Sequence, residues 1–104
     1  MSTVPVSHVP VVAGAAYIEN VQQLPSAFTA TLQADPDNRV DLRAVAVVAG
    51  AGKIGYLPPE IARHYFESVK ARPAEVPGRH APLSAQEDTG VYVLLDLTGV
   101  PCEA

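Results

Sequence analysis

Proline and glycine set the grain of this chain. Ten prolines and seven glycines are spread along 104 residues. Proline lacks the N–H that the interior of a helix or sheet uses, and glycine marks turns and tight bends. Together they cut the chain into short segments, the pattern of a small β fold. The apolar share, 48%, is too high for a disordered chain. Valine and alanine dominate it, and valine suits pleated, half-buried surfaces. A chain of this length reads as one domain, burying roughly two-thirds of the surface its unfolded form exposes. There is no internal repeat and no charge run.

The only cysteine, Cys102, cannot form an internal disulfide, so nothing points to an oxidising compartment. With no basic neighbour, it is a poor nucleophile candidate. Met1-Ser2-Thr3-Val4-Pro5 carries no basic residue ahead of an apolar run, unlike a secretory signal. No apolar stretch approaches the roughly 18 residues of a membrane span. The expectation is a soluble, cytoplasmic protein with no membrane partner. The net charge is −4. Non-specific affinity for DNA comes mostly from neutralised phosphates, so any nucleic-acid binding here has to be local and structure-specific.

Residues 1–8 read as a flexible arm, 9–97 as the domain and 98–104 as a flexible tail. Val9 to Ala13 is a first strand ended by Gly14. Tyr17, Val21 and Leu24 share one face of a two-turn helix that stops before Pro25. Phe28 to Gln33 alternates apolar and polar residues, as a half-buried strand does. Asp35-Pro36-Asp37-Asn38-Arg39-Val40-Asp41 is an ordered turn, because Pro36 presets its φ and short polar side chains bond nearby backbone. Ala44 to Ala49 is a continuous apolar run of strand length, buried on both faces. Gly50-Ala51-Gly52 connects it to a hairpin partner, Lys53 to Leu57. Pro58-Pro59 opens a helix with Ile61, Tyr65, Phe66 and Val69 on one face. Arg72-Pro73 stops that helix. Residues 71–82 read as a proline-rich surface loop, Leu83 to Glu87 as a short strand, and Val91 to Leu97 as the clearest late strand. The fold class expected is mainly β with two helices (α+β), a small OB-like or SH3-like barrel of five or six strands.

Chemical motifs are few. Gly50-x-Gly52-x-x-Gly55 has the letters of a dinucleotide fingerprint, but a β run follows it where a helix N-terminus is needed. Lys53 is followed by Ile54, which rules out a phosphate loop. Asp35-x-Asp37-x-Arg39 starts like a calcium loop, then has a cation at position five and Val40 where glycine is required. His8, His64 and His80 share no ligand spacing and read as surface side chains. No serine sits in a nucleophile elbow. The expectation is no metal, no cofactor, no catalytic residue and no enzyme activity. What remains is polar and aromatic: Tyr17, Asn38, Asp41 and Tyr56, with Arg39 and Arg43 beside the turn. Such a set can stack on and hydrogen-bond an unpaired nucleotide. Equally, Tyr17 and Tyr56 can pack in the core while Asn38 and Asp41 hold their own turn.

At these residues the sequence resembles the HIRAN domain family. The likeness rests on Asp35 to Asp41, Ala44-Val45-Ala46-Val47, Ile54-Gly55-Tyr56-Leu57-Pro58 and the helix through Ala62, with Val11 to Tyr17 similar to the family's opening segment. It covers about residues 9–97 and is strongest over 35–66. The resemblance implies a small OB-like barrel, often attached to DNA remodelling or repair enzymes and also found alone in bacteria. Some members bind single-stranded DNA and capture a free 3′ end. It would make Tyr17 a stacking residue and place Asn38 and Asp41 on the terminal nucleotide, the Asp41 carboxylate accepting from a 3′-hydroxyl. Ala16, Val40 and Pro59 depart from residues that DNA-binding relatives can have there, an arginine, an aromatic and a lysine. Arg39, Arg43, Lys53 and Arg63 are the cations left to meet phosphates. The expected function is therefore a nucleic-acid-binding module for single-stranded DNA or its 3′ end, with a helicase or nuclease as a possible protein partner. The alternative is a protein-interaction or assembly module that keeps the fold without DNA binding.

Overall fold

Among the described residues, six strands and three α-helices follow in the order β1 (Val9–Pro10), α1 (Ile18–Gln22), β2 (Ala27–Asp35), β3 (Ala44–Ala49), β4 (Gly52–Tyr56), α2 (Pro59–Ala71), β5 (Ala74–His80), α3 (Leu83–Thr89) and β6 (Val93–Leu95). They come from a computed structural model that describes residues 6–50 and 52–100. The arm over 1–5, Ala51 of the hairpin turn, and residues 101–104 with Cys102 lie outside the described residues. Short 3-10 turns occupy Val6–His8 and Gly14–Tyr17.

The apolar pattern builds the sheet. Ala30 and Leu32 alternate inward on β2. On β3 every residue except half-buried Val48 is buried, so neither face of that strand is open. The strands form one antiparallel sheet in the order β1-β6-β5-β2-β3-β4. The sheet curls until its two edges meet. Val9 and Pro10 pair with Leu95 and Leu94 of β6, and Val11 donates to the Val93 carbonyl. Val12 then turns to the other edge and exchanges two bonds with Tyr56 of β4, at 2.8 and 2.9 Å. Residues 9–12 thus touch both edges, which leaves little unpaired strand exposed. Gly55 permits this approach. A Cβ there would stand 2.4 Å from the Val12 carbonyl oxygen and 2.5 Å from Val11 Cγ1.

Helix α2 lies against β2 and β3 and buries Ala62, Tyr65, Phe66 and Val69. Pro59 takes its first position, and the Pro58 carbonyl accepts from Ile61 and Ala62. The core gathers Val9, Val11, Leu32, Val45, Val47, Ile54, Val76, Val93, Leu95 and Leu97 around that face. Among the described residues no polar or charged residue is buried. The mainly β architecture with a helix packed on a curled sheet is the one the pattern predicts. Among the described residues no helix is long and apolar enough to cross a membrane.

Two segments differ from expectation. Residues 74–80, read as part of a loop, form β5 in the middle of the sheet between β6 and β2. Pro77, one of the prolines of that segment, is accommodated in the strand: its carbonyl accepts from Asp96 N, on the β6 side. Its missing N–H falls on the same side, just beyond the last pair, Gly78 with Leu95. The expected strand over 83–87 is helix α3, which starts after Pro82 and ends on Gly90 in the left-handed conformation (φ 71°), whose N–H bonds the Gln86 carbonyl. Smaller shifts affect the ends. The first strand pairs only over Val9–Pro10 plus the Val12 bridge, and the last over Val93–Leu95, although Leu97 is buried. Val100 packs on the core, so ordered packing runs past Thr98.

Candidate functional site

A β-bulge assembles the site. Across the β3–β4 hairpin, Val47 pairs with Gly55 and Val48 with Lys53, so Ile54 is the extra residue. In a regular strand, positions 53 and 56 would face opposite sides. The bulge lets Ile54 enter the core at 0% exposure while Lys53 and Tyr56 come out on one face. There the Lys53 ammonium donates to the Tyr56 hydroxyl at 2.8 Å. The Tyr56 hydroxyl donates in turn to the Asp35 carboxylate at 3.0 Å, at the end of β2. Asn38 Nδ2 reaches the same carboxylate oxygen at 3.4 Å.

Tyr17 arrives from the other side. It ends the 3-10 turn that follows Ala13, a non-glycine residue held at φ 62°. Lys53 Nζ lies 5.9 Å from the centre of the Tyr17 ring and 4.8 Å from that of Tyr56, both within cation–π range. Asn20 on α1 ties this segment to β4 by donating to the Lys53 carbonyl at 2.9 Å. The Lys53 pKa is held above its ordinary value, chiefly by the hydrogen bond to Tyr56; burial pulls it down, and Tyr56, Tyr17 and Asp35 raise it further.

The turn beside this cluster is built as its composition predicts. Asn38 Oδ1 accepts the N–H groups of Val40 and Asp41 at 2.9 and 3.0 Å. Asp41 Oδ1 accepts the Arg43 N–H at 2.9 Å. These bonds fix a turn that presents Arg39 and Arg43 to solvent. Val40 and Leu42 are also outside, at 97% and 72% exposure.

The structure therefore brings Tyr17, Lys53 and Tyr56 together and connects Asn38 to them through Asp35. Arg39, Asp41 and Arg43 stay on the neighbouring turn. Tyr17 and Tyr56 are half-buried at the surface and not among the core side chains. Asn38 and Asp41 do hold their own turn. Sequence reasoning missed Asp35 and Asn20. The acidic start of the turn was visible, but its link to Tyr56 depends on the pairing of β2, β3 and β4. His80 is more than a surface side chain: its ring lies edge-on to Phe28 and bonds the Leu24 carbonyl at 3.0 Å. A separate surface cleft of about 400 Å³ lies between the end of α2 and the start of β5, near Arg72 and Glu75. It holds none of these residues, and the chemistry favours the tyrosine–lysine cluster.

Fold and cluster together define a small, mainly β, barrel-like domain with an aromatic and cationic surface site. No protein-family model, curated protein or solved structure matches the chain.

Proposed function

We propose that this domain is a non-catalytic binding module for single-stranded nucleic acid, with Tyr17, Lys53 and Tyr56 as its contact surface and a DNA 3′ end as its preferred target. The observation that carries the reading is the ammonium of Lys53 set against two surface tyrosine rings. An unpaired base offers a π face to a tyrosine, and the adjacent phosphate offers an acceptor to the lysine. Arg39 and Arg43 flank the site on a fixed turn, and the local cations suit an otherwise acidic domain. Asp41, on that turn, is the candidate acceptor for a 3′-hydroxyl.

Fluorescence anisotropy with oligonucleotides bearing a free or a blocked 3′-hydroxyl, at two salt concentrations, tests this. Lys53→Ala should weaken binding uniformly across sequences and reduce the salt slope by about one. Tyr17→Ala should cost about 1–3 kcal/mol per stacked base. Equal affinity for the two oligonucleotides would remove the 3′-end preference, and no binding at all would remove the function.

A second reading is a protein-interaction module. It is favoured by Val40 and Leu42, two large apolar side chains held in solvent on a turn fixed by Asn38 and Asp41. A stable oligomer of the wild type that dissociates in Val40→Ser/Leu42→Ser would support it.

A further inference from the structure

The chain of hydrogen bonds from Lys53 does not end at Tyr56. It ends on a carboxylate that no ligand-binding argument requires. Lys53 Nζ donates to Tyr56 Oη at 2.8 Å, Tyr56 Oη donates to Asp35 Oδ2 at 3.0 Å, and Asn38 Nδ2 approaches that same oxygen at 3.4 Å. We propose that Asp35 sets the affinity and salt response of this site by acting as an internal anion, one that occupies the field of Lys53 until a ligand phosphate takes over. The inference rests on the nucleic-acid reading above and specifies which part of the ligand the site competes for.

The physical argument is short. An ammonium offers three donors, and the Tyr56 hydroxyl takes one of them. The polarised hydroxyl passes the charge of Lys53 to Asp35, so a bound phosphate meets a cation whose field is already partly cancelled. Asp35 also repels the phosphate directly. A like charge one side chain away in a half-exposed site changes affinity by about 3- to 10-fold, because solvent and salt screen it but do not remove it. Asp35 further joins two parts of the site. Its oxygen holds Tyr56 from β4 and Asn38 from the turn, so loosening one of these contacts is felt by the other.

Asp35→Asn keeps the shape and an oxygen acceptor for Tyr56 while removing the charge. Asp37→Asn is the control: Asp37 is exposed, two residues away, and the change in net charge is the same. Anisotropy with a labelled oligothymidylate should show Asp35→Asn tighter than wild type by about 3- to 10-fold, with a steeper salt dependence, and Asp37→Asn altered by less than about twofold. Equal effects of the two variants, or weaker binding by Asp35→Asn, would overturn the proposal. If none of the proteins binds DNA, the functional reading fails, and the role of Asp35 is then read with pyrophosphate. In that titration the Lys53 side-chain resonance should move at lower pyrophosphate in Asp35→Asn than in wild type or Asp37→Asn; the same midpoint in all three, or no response of Lys53, overturns it. Asp35→Ser, measured in the same way, decides the matter should Asp35→Asn fail to fold.

Discussion

Replacing Gly55 with alanine tests how the sheet is held shut. The new Cβ would stand 2.4 Å from the Val12 carbonyl oxygen and 2.5 Å from Val11 Cγ1, distances no real contact shows. The nearer neighbour is backbone and cannot swing aside. Relief requires residues 11–12 to move off β4, which breaks both bonds between Val12 and Tyr56. Each is worth about 1 kcal/mol net. Gly55 also sits at φ 150°, where a side chain adds about 1–3 kcal/mol. Disturbed packing around Val11 adds at least about 1 kcal/mol. The total is about 4 kcal/mol or more, a large part of the stability of a small domain. For this size it corresponds to a fall in Tm of roughly 15–30 °C. Two alanine variants calibrate the measurement. Gly90 shares a positive φ, 71°, but its Cβ would meet nothing within 4 Å, so backbone strain alone should cost about 1 kcal/mol. Gly99 also has open space and no positive φ, so its variant should lie within about 0.5 kcal/mol of wild type. Thermal unfolding followed by circular dichroism gives all three. If Gly55→Ala melts no lower than Gly90→Ala, the edge-to-edge bridge is not what closes the sheet.

Other expectations follow from single contacts. Asn38→Ala leaves the N–H groups of Val40 and Asp41 without their shared acceptor and should cost about 1–2 kcal/mol in denaturant unfolding, with no change in m-value. Thr98 donates to Asp96 through its hydroxyl and its backbone N–H, and these bonds, the hydroxyl first, hold the Asp96 carboxyl below its ordinary value of 3.8. A depressed folded-state pKa adds stability above the unfolded value that is lost as pH falls through the folded one. Thr98→Ala should therefore be less stable than wild type at neutral pH, and the gap should shrink as pH falls below 3.8. Ile54→Ala empties a fully buried position and should cost about 2–5 kcal/mol by the same unfolding assay.

Much of this was legible in the sequence where local chemistry decides the outcome. The run Ala44–Ala49, the Pro59 start of α2 and the Asn38 turn each carry their reason within a few residues. One failure came where a distant partner decides. Pro77 reads as a strand breaker until β6 is seen to stop short beside it. Around α3 the signals are local: Pro82 just before its start and Gly90 at its stop both favour a helix over the strand expected for Leu83–Glu87. The site divides in the same way. Tyr17, Asn38, Lys53 and Tyr56 could be picked out by type, whereas Asp35 joins them only because β2 and β4 flank the same strand, β3.

The extra residue at Ile54 carries a consequence for how this surface is inherited. Lys53 and Tyr56 are neighbours because one position in their strand is out of step, and the parity of a strand is all or nothing. Were the bulge flattened with every residue kept, even alternation would return and, with three steps between them, the ammonium and the phenol would turn to opposite sides of the sheet. A descendant of this chain could keep each of these side chains and still lack the arrangement, so the bulge at Ile54 is as much a part of the site as the residues themselves.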